Sequence, residues 1–157
     1  MQSLHPKTLI LRHRKENLKK CSLKGLEKNG SFCFYTYPKD ELPRLEGYAL
    51  LTLGAKPLTE ADSQMGLLLL DGTWRHAEKM AAFVKRGVPM LQERSIPDGW
   101  QTAYPRCQNG CLDPSAGLAS IEALWISNYL LGRPREELFC NYYWKQLFFD
   151  LNKSMIK

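Results

Sequence analysis

The chain has 157 residues, 44% of them hydrophobic and 24% charged, with a formal net charge of +6. That length and composition fit one globular domain over residues 1–157, long enough to bury a core. They exclude a membrane helix, because no run nears the roughly 18 apolar residues a span requires. Residues 1–8 lack the apolar core of a signal peptide, so the protein is expected in the cytoplasm with no membrane partner.

Residues 8–11 form a short apolar segment, read as the first strand. A basic loop, 12–22, follows and carries Arg12, Arg14, Lys15, Lys19 and Lys20. Most of the positive surplus lies in this early region. Such a face attracts polyphosphates, most often RNA or DNA, through counterion release; the other reading is a solvated surface that keeps the protein soluble. Ser22 suits the cap of a short helix through Leu23, Leu26 and Glu27. A basic loop beside a helix start is also an anion site.

Residues 31–37 are rich in strand formers and predict a second strand. The charged stretch 38–46, broken by Pro43, is a connector. Residues 48–53 read as a third strand, 54–57 as a loop, and 58–62 as a one-turn helix with Thr59 near its cap. The stretch 66–80 is the organising one. Its run Leu67 to Leu70 suits a strand buried on both faces. Asp71 ends the run and Gly72 permits a tight turn. From Thr73 the period turns helical, with Ala77, Met80, Ala81 and Val84 on one face. Ligands of open α/β sheets collect outside the carboxyl ends of strands, so the site is expected here. Arg75, Lys79 and Arg86 share another face of that helix, either solvated or tracking phosphates. His76 reads as a lone packing or surface residue.

Residues 90–94 suggest another strand, and 95–117 a long irregular stretch holding Trp100, Tyr104, Arg106 and Asn109. A helix over 118–131 is predicted by the stripe Leu118, Ile121, Leu124, Trp125, Asn128 and Leu131, ended by Gly132 and Pro134. Residues 135–151 carry aromatic and apolar residues at helical spacing and predict one packed C-terminal helix. No repeat or linker interrupts the chain. The five cysteines include one close pair, Cys107 and Cys111, without a second pair to complete a zinc set. They read as reduced structural thiols, with no metal.

No G-x-S-x-G, P-loop, G-x-G-x-x-G or H-E-x-x-H is present. Three segments remain as a site: Asp71 to Trp74, the 53–58 turn, and the helix start 118–123. Trp74 suits the face of a flat ring such as adenine. Small residues at Gly54 and Ala119 let backbone amides approach it, and Ser22 at a helix start can hold a carboxylate. Together these suit a nucleoside with an amino-acid tail.

Asp71-Gly72-Thr73-Trp74, with Ala77-Glu78-Lys79-Met80, resembles the signature of the DTW-domain family. Tyr104 and Arg106 resemble its Y-and-R stretch, and Leu118-Ala119-Ser120-Ile121-Glu122-Ala123 resembles its L-S/T-T-x-E-A helix start. The N-terminal half is similar to the sister aminocarboxypropyltransferases of small-subunit ribosomal RNA. There Lys19-Lys20-Cys21-Ser22-Leu23-Lys24-Gly25-Leu26 resembles a K-x-C-S/T-G-x-x-L segment, and Leu58-Thr59-Glu60-Ala61-Asp62 an L-S-P-A-D turn. The likeness runs in order over residues 8 to 134. The cysteine-rich N-terminal segment of many DTW proteins is missing, so no zinc is implied, and Ala119 stands where a hydroxyl is common.

The resemblance implies a SPOUT-like α/β fold, a parallel sheet flanked by helices with a C-terminal trefoil knot. It implies S-adenosylmethionine (SAM) as donor and transfer of the 3-amino-3-carboxypropyl group to a uridine or pseudouridine of tRNA or small-subunit rRNA. On this expectation adenine lies against Trp74, between Leu53, Gly54 and Leu58 on one side and Leu118, Ala119, Glu122 and Ala123 on the other. The donor's carboxylate meets Ser22. Asp71 orients the acceptor base or takes its proton, or else caps the turn structurally. Arg12, Arg14, Lys19, Arg75 and Arg106 track RNA phosphates. The rival readings are a SPOUT-type RNA methyltransferase and a non-catalytic RNA-binding ribosome-assembly factor. The oligomeric state is left open.

Overall fold

The computed structural model describes residues 5–16, 18, 21–104 and 117–157, excepting the side chain of Trp74. Five strands form one sheet: β1 (Thr8–His13), β2 (Phe32–Tyr37), β3 (Tyr48–Leu51), β4 (Gly66–Asp71) and β5 (Gln92–Arg94). Their order is β2-β1-β4-β3-β5, and every neighbouring pair is parallel. Three α-helices are described: α1 (Trp74–Gly87), α2 (Ser120–Leu130) and α3 (Lys145–Leu151). Short 3-10 turns lie at Leu26–Lys28, Glu60–Asp62 and Glu136–Phe139 among the described residues.

Strand alternation sorts the core into two layers. Leu9 and Leu11 of β1, Leu50 of β3 and Leu68 of β4 pack with Met80 and Val84 of α1. Ile10, Leu51 and Leu69 point the other way and pack with α2 and the C-terminal segment. Successive strand residues face opposite sides, so a helix on each face covers both. The apolar run of β4 is therefore buried on both faces, as its composition requires. Gly66 opens that strand because the ring of Tyr48 leaves no room for a Cβ, which would lie 2.4 Å from it.

Helix α2 differs from the single stripe its spacing suggests. Every residue from Ile121 to Asn128 is buried, because α2 lies between the sheet and the C-terminal segment. It also runs against the strands. Ser120 at its start reaches Asp71 at the end of β4, while Arg133 beyond its end donates to the carbonyls of Ser63 and Met65 before β4. About 16 Å of helix thus spans about 20 Å of strand. Burial pulls the Arg133 guanidinium down to about 10.

The C-terminal segment is not one helix. A 3-10 turn over Glu136–Phe139 and the short α3 are separated by a bend. The rings of Phe139 and Phe148 lie 5.2 Å apart, and both pack on Trp125 within 5.6 Å. Nine residues of continuous helix would hold them about 13 Å apart along the axis. Burying both rings on one indole requires the break. The expected trefoil knot depends on the course of 105–116, which lies outside the described residues, as do Cys107 and Cys111. Cys21, Cys33 and Cys140 are free thiols. No described helix is long and apolar enough to cross a membrane.

Phe148 is fully buried at the centre of this aromatic cluster. Phe148→Ala is expected to cost about 3–5 kcal/mol in urea unfolding, from lost burial plus the cavity left behind.

Candidate active site

The strand order places a crevice between β1 and β4. The chain leaves β1 toward β2 on one side and leaves β4 through α1 toward β5 on the other. Loops part at that point, and the carboxyl edge opens there. Arg12 and Asp71 are register partners across it.

Asp71 is only 3% exposed and holds three donors. Arg12 Nε donates to Oδ2 at 3.0 Å, the Cys21 thiol to Oδ2 at 3.3 Å, and the Ser120 hydroxyl to Oδ1 at 3.0 Å. Arg12 also donates to Glu27 Oε1 at 3.2 Å and lies over the Phe34 ring at 4.6 Å. Burial works against the guanidinium charge, but Asp71, Cys21 and Glu27 outweigh it and hold its pKa above the usual value. Burial, then the Asp71 charge, pushes the Cys21 thiol up to about 12. Cys21 is therefore an S–H donor and not a nucleophile. Glu16, Cys21 and Asp71 bring metal-type ligand atoms within 4.8 Å of one another. Arg12 already supplies the positive charge against two of the three.

Arg12 is thus corrected: its guanidinium turns inward to this network and does not track phosphates at the surface. Ser22 is corrected too. No helix starts there; its Oγ accepts from Ile121 N–H at 3.1 Å and caps α2, 99 residues away. The hydroxyl proton is left to donate. A cavity of about 160 Å³ opens beside it, lined by Lys24, Asn29, Glu137, Asn141 and Tyr142.

Glu122 is fully buried, and its carboxylate gathers four donors. These are Ala119 N–H and Ala103 N–H, both at 2.8 Å, the Thr102 hydroxyl at 2.6 Å and the Tyr142 hydroxyl at 3.0 Å. It is an internal staple between α2, the 100–104 segment and the C-terminal layer, and not a surface ligand group. Ala119 and Ala123 are likewise interior, and Leu118 packs half-buried on the same core. Leu58 is buried against Leu67 and Leu131, and its N–H is held by Ser95 at 2.8 Å, so it anchors the 52–58 turn. Leu53, 75% exposed, and Gly54, at φ +74°, form the tip. Because β3 and β4 are neighbours, that tip and Asp71 leave the same edge of the sheet.

Arg14 and Arg75 are exposed at this edge, at the end of β1 and the start of α1. Lys19, Arg106 and the Trp74 side chain lie outside the described residues. Thr73 caps α1 through His76 N–H at 3.5 Å.

No family model matches the chain, and no curated protein matches it. The fold has a solved counterpart. It is similar to the SAM-dependent rRNA:acp-transferase Tsr3 from Vulcanisaeta distributa, with a TM-score of 0.73 at 23% identity. The match covers 96% of this chain and 80% of that one. The likeness is one of fold; the DTW-domain resemblance finds no matching family model.

Three residues of the crevice were missed in the sequence reading. Ser120 sits inside the 118–123 motif, where attention falls on its neighbours. Cys21 precedes Ser22 in a motif that already named it. His13 has no local signal, because its partners come from β2 and α1.

Arg12→Ala is expected to destabilise the protein by about 3–5 kcal/mol in urea unfolding, since it strands a buried carboxylate. A surface phosphate-tracking arginine would change stability by no more than about 0.5 kcal/mol.

Proposed function

We propose that the chain is a single-domain, SAM-dependent aminocarboxypropyltransferase acting on a uridine-type base of structured RNA, with a SPOUT-like knot in its C-terminal half. The observation that carries this is the convergence of Asp71, the 52–58 turn and the start of α2 on one sheet edge. It occurs in a fold shared with an enzyme described as a SAM-dependent rRNA:acp-transferase. The motif resemblance supports the same reading.

SAM supplies a carbon chain activated by its sulfonium for transfer to a ring nitrogen. The residues present fit such a donor: the cavity beside Ser22 offers a hydroxyl and Lys24 for a carboxylate, and Glu137 for an ammonium. The tip at Leu53 and Gly54 and the indole of Trp74 are assigned to adenine. Asp71 can take about four hydrogen bonds and has three. The remaining lone-pair site, on Oδ1, is assigned to the N–H of the acceptor imide. Arg12 and Ser120 fix the direction of that oxygen, so the carboxylate orients the acceptor and takes its proton. Arg14, Lys19, Arg75 and Arg106 are assigned to RNA phosphates.

The test supplies SAM labelled in either the methyl or the carboxyl group, with unmodified rRNA and tRNA as separate acceptors. Carboxyl label is expected in RNA. Methyl label alone would sink the assignment in favour of methylation, and SAM-independent RNA binding without transfer would favour an assembly factor. Asp71→Asn is expected to lower transfer by about 10²-fold or more while leaving SAM affinity within about threefold. An unchanged rate would make Asp71 a structural residue only.

A further inference from the structure

At the crevice, on the α1 side of Asp71, two imidazoles stack face to face. His13 ends β1 and His76 lies in the first turn of α1. Their ring centroids are 3.7 Å apart and the planes differ by 6°. Gly72 passes between the two side chains at their bases. A Cβ there would lie 3.3 Å from His13 Cβ and 3.4 Å from His76 Cβ, so the glycine makes the close stack possible.

The two rings are not equivalent. His13 is buried, and its Nδ1 accepts from Lys15 N–H at 3.1 Å. It therefore carries its proton on Nε2, and gaining a second would break that bond. The Tyr37 ring of β2 lies 5.4 Å from it, tilted by 37°. His76 is half-buried. Arg14 and Lys15 from the turn after β1, and Lys79 from α1, are exposed, and their charges act on His13. Burial first, then the charges of His76, Lys15, Arg14 and Lys79, holds the His13 pKa below the usual value.

With an anion seated among Arg14, Lys15 and Lys79, a proton on His76 meets a negative partner. The imidazolium then rests on the face of neutral His13. We infer that the His13–His76 stack and its three cations form a binding site for an RNA phosphodiester, and that binding there takes up one proton on His76. The site sits beside the proposed transfer centre, so it would hold the backbone next to the modified nucleotide. This rests on the reading of RNA as a partner and is independent of the group transferred.

The test is fluorescence anisotropy with the full chain and a labelled uridine-containing RNA hairpin, without SAM, at a fixed ionic strength of about 0.1 M. Wild-type affinity is expected to rise about tenfold from pH 8 to pH 6, the response of one coupled proton. His76→Gln is expected to flatten that response. His76→Lys carries a permanent charge. It is expected to bind at pH 8 about as tightly as wild type at pH 6, an effect that loss of folding cannot mimic. Wild-type binding without a pH response, or a response that persists in His76→Gln, overturns the site and leaves RNA as partner. No RNA binding at any pH overturns both.

Discussion

The Arg12–Asp71 ion pair is the constraint to which the rest of the edge is referenced. Its two residues are register partners on adjacent parallel strands, and both are largely buried. A buried carboxylate must be paired and hydrogen-bonded or it unsettles the fold. Arg12 meets that demand and reaches onward to Glu27 and Phe34. Asp71 reaches to Cys21 and Ser120. One pair thereby fixes β1, β2, the loop after β1, β4 and the start of α2 relative to one another. Its value lies in geometry more than in net stability, since apolar replacements of buried pairs are often no less stable.

Helix α2 carries a second anchor. Ser120 and Glu122 are two residues apart, about 200° around the helix, so they face nearly opposite ways. Ser120 turns to Asp71 and Glu122 to the C-terminal layer. A carboxylate in the first turn of a helix is also favoured by the helix dipole. The same turn therefore docks on the sheet edge and ties down the 100–104 segment. Trp125, one helical turn further on, collects Phe139, Phe148 and Phe149 into the aromatic layer behind it. The crevice is thus held from behind by packing and from within by hydrogen bonds. Its outer rim, at Leu53, Arg14 and Lys79, stays open to solvent.

Much of the fold was legible locally. The apolar run of β4, the helical period after Thr73, the Thr59 cap and the stop at Gly132 all appear where short-range rules place them, because turns and strands are decided by a few neighbouring residues. Side-chain roles were less legible. Ser22 caps a helix 99 residues away, Arg12 faces inward, and Glu122 is a staple. Each depends on a partner brought by the sheet order.

The sequence by itself determined the parallel α/β architecture, the turn from β4 into α1 where the candidate site is proposed, and the basic residues beside it, since hydrophobic period, turn residues and charge are local properties. Only the tertiary structure decided which polar groups are spent on holding the edge and which are left to act. Arg12 is largely buried and Glu122 fully buried against partners 59 and 20 residues away, while His76, which looked solitary, is stacked on His13. Strand insertion brings such residues together across the chain, and no window of neighbouring residues contains that information.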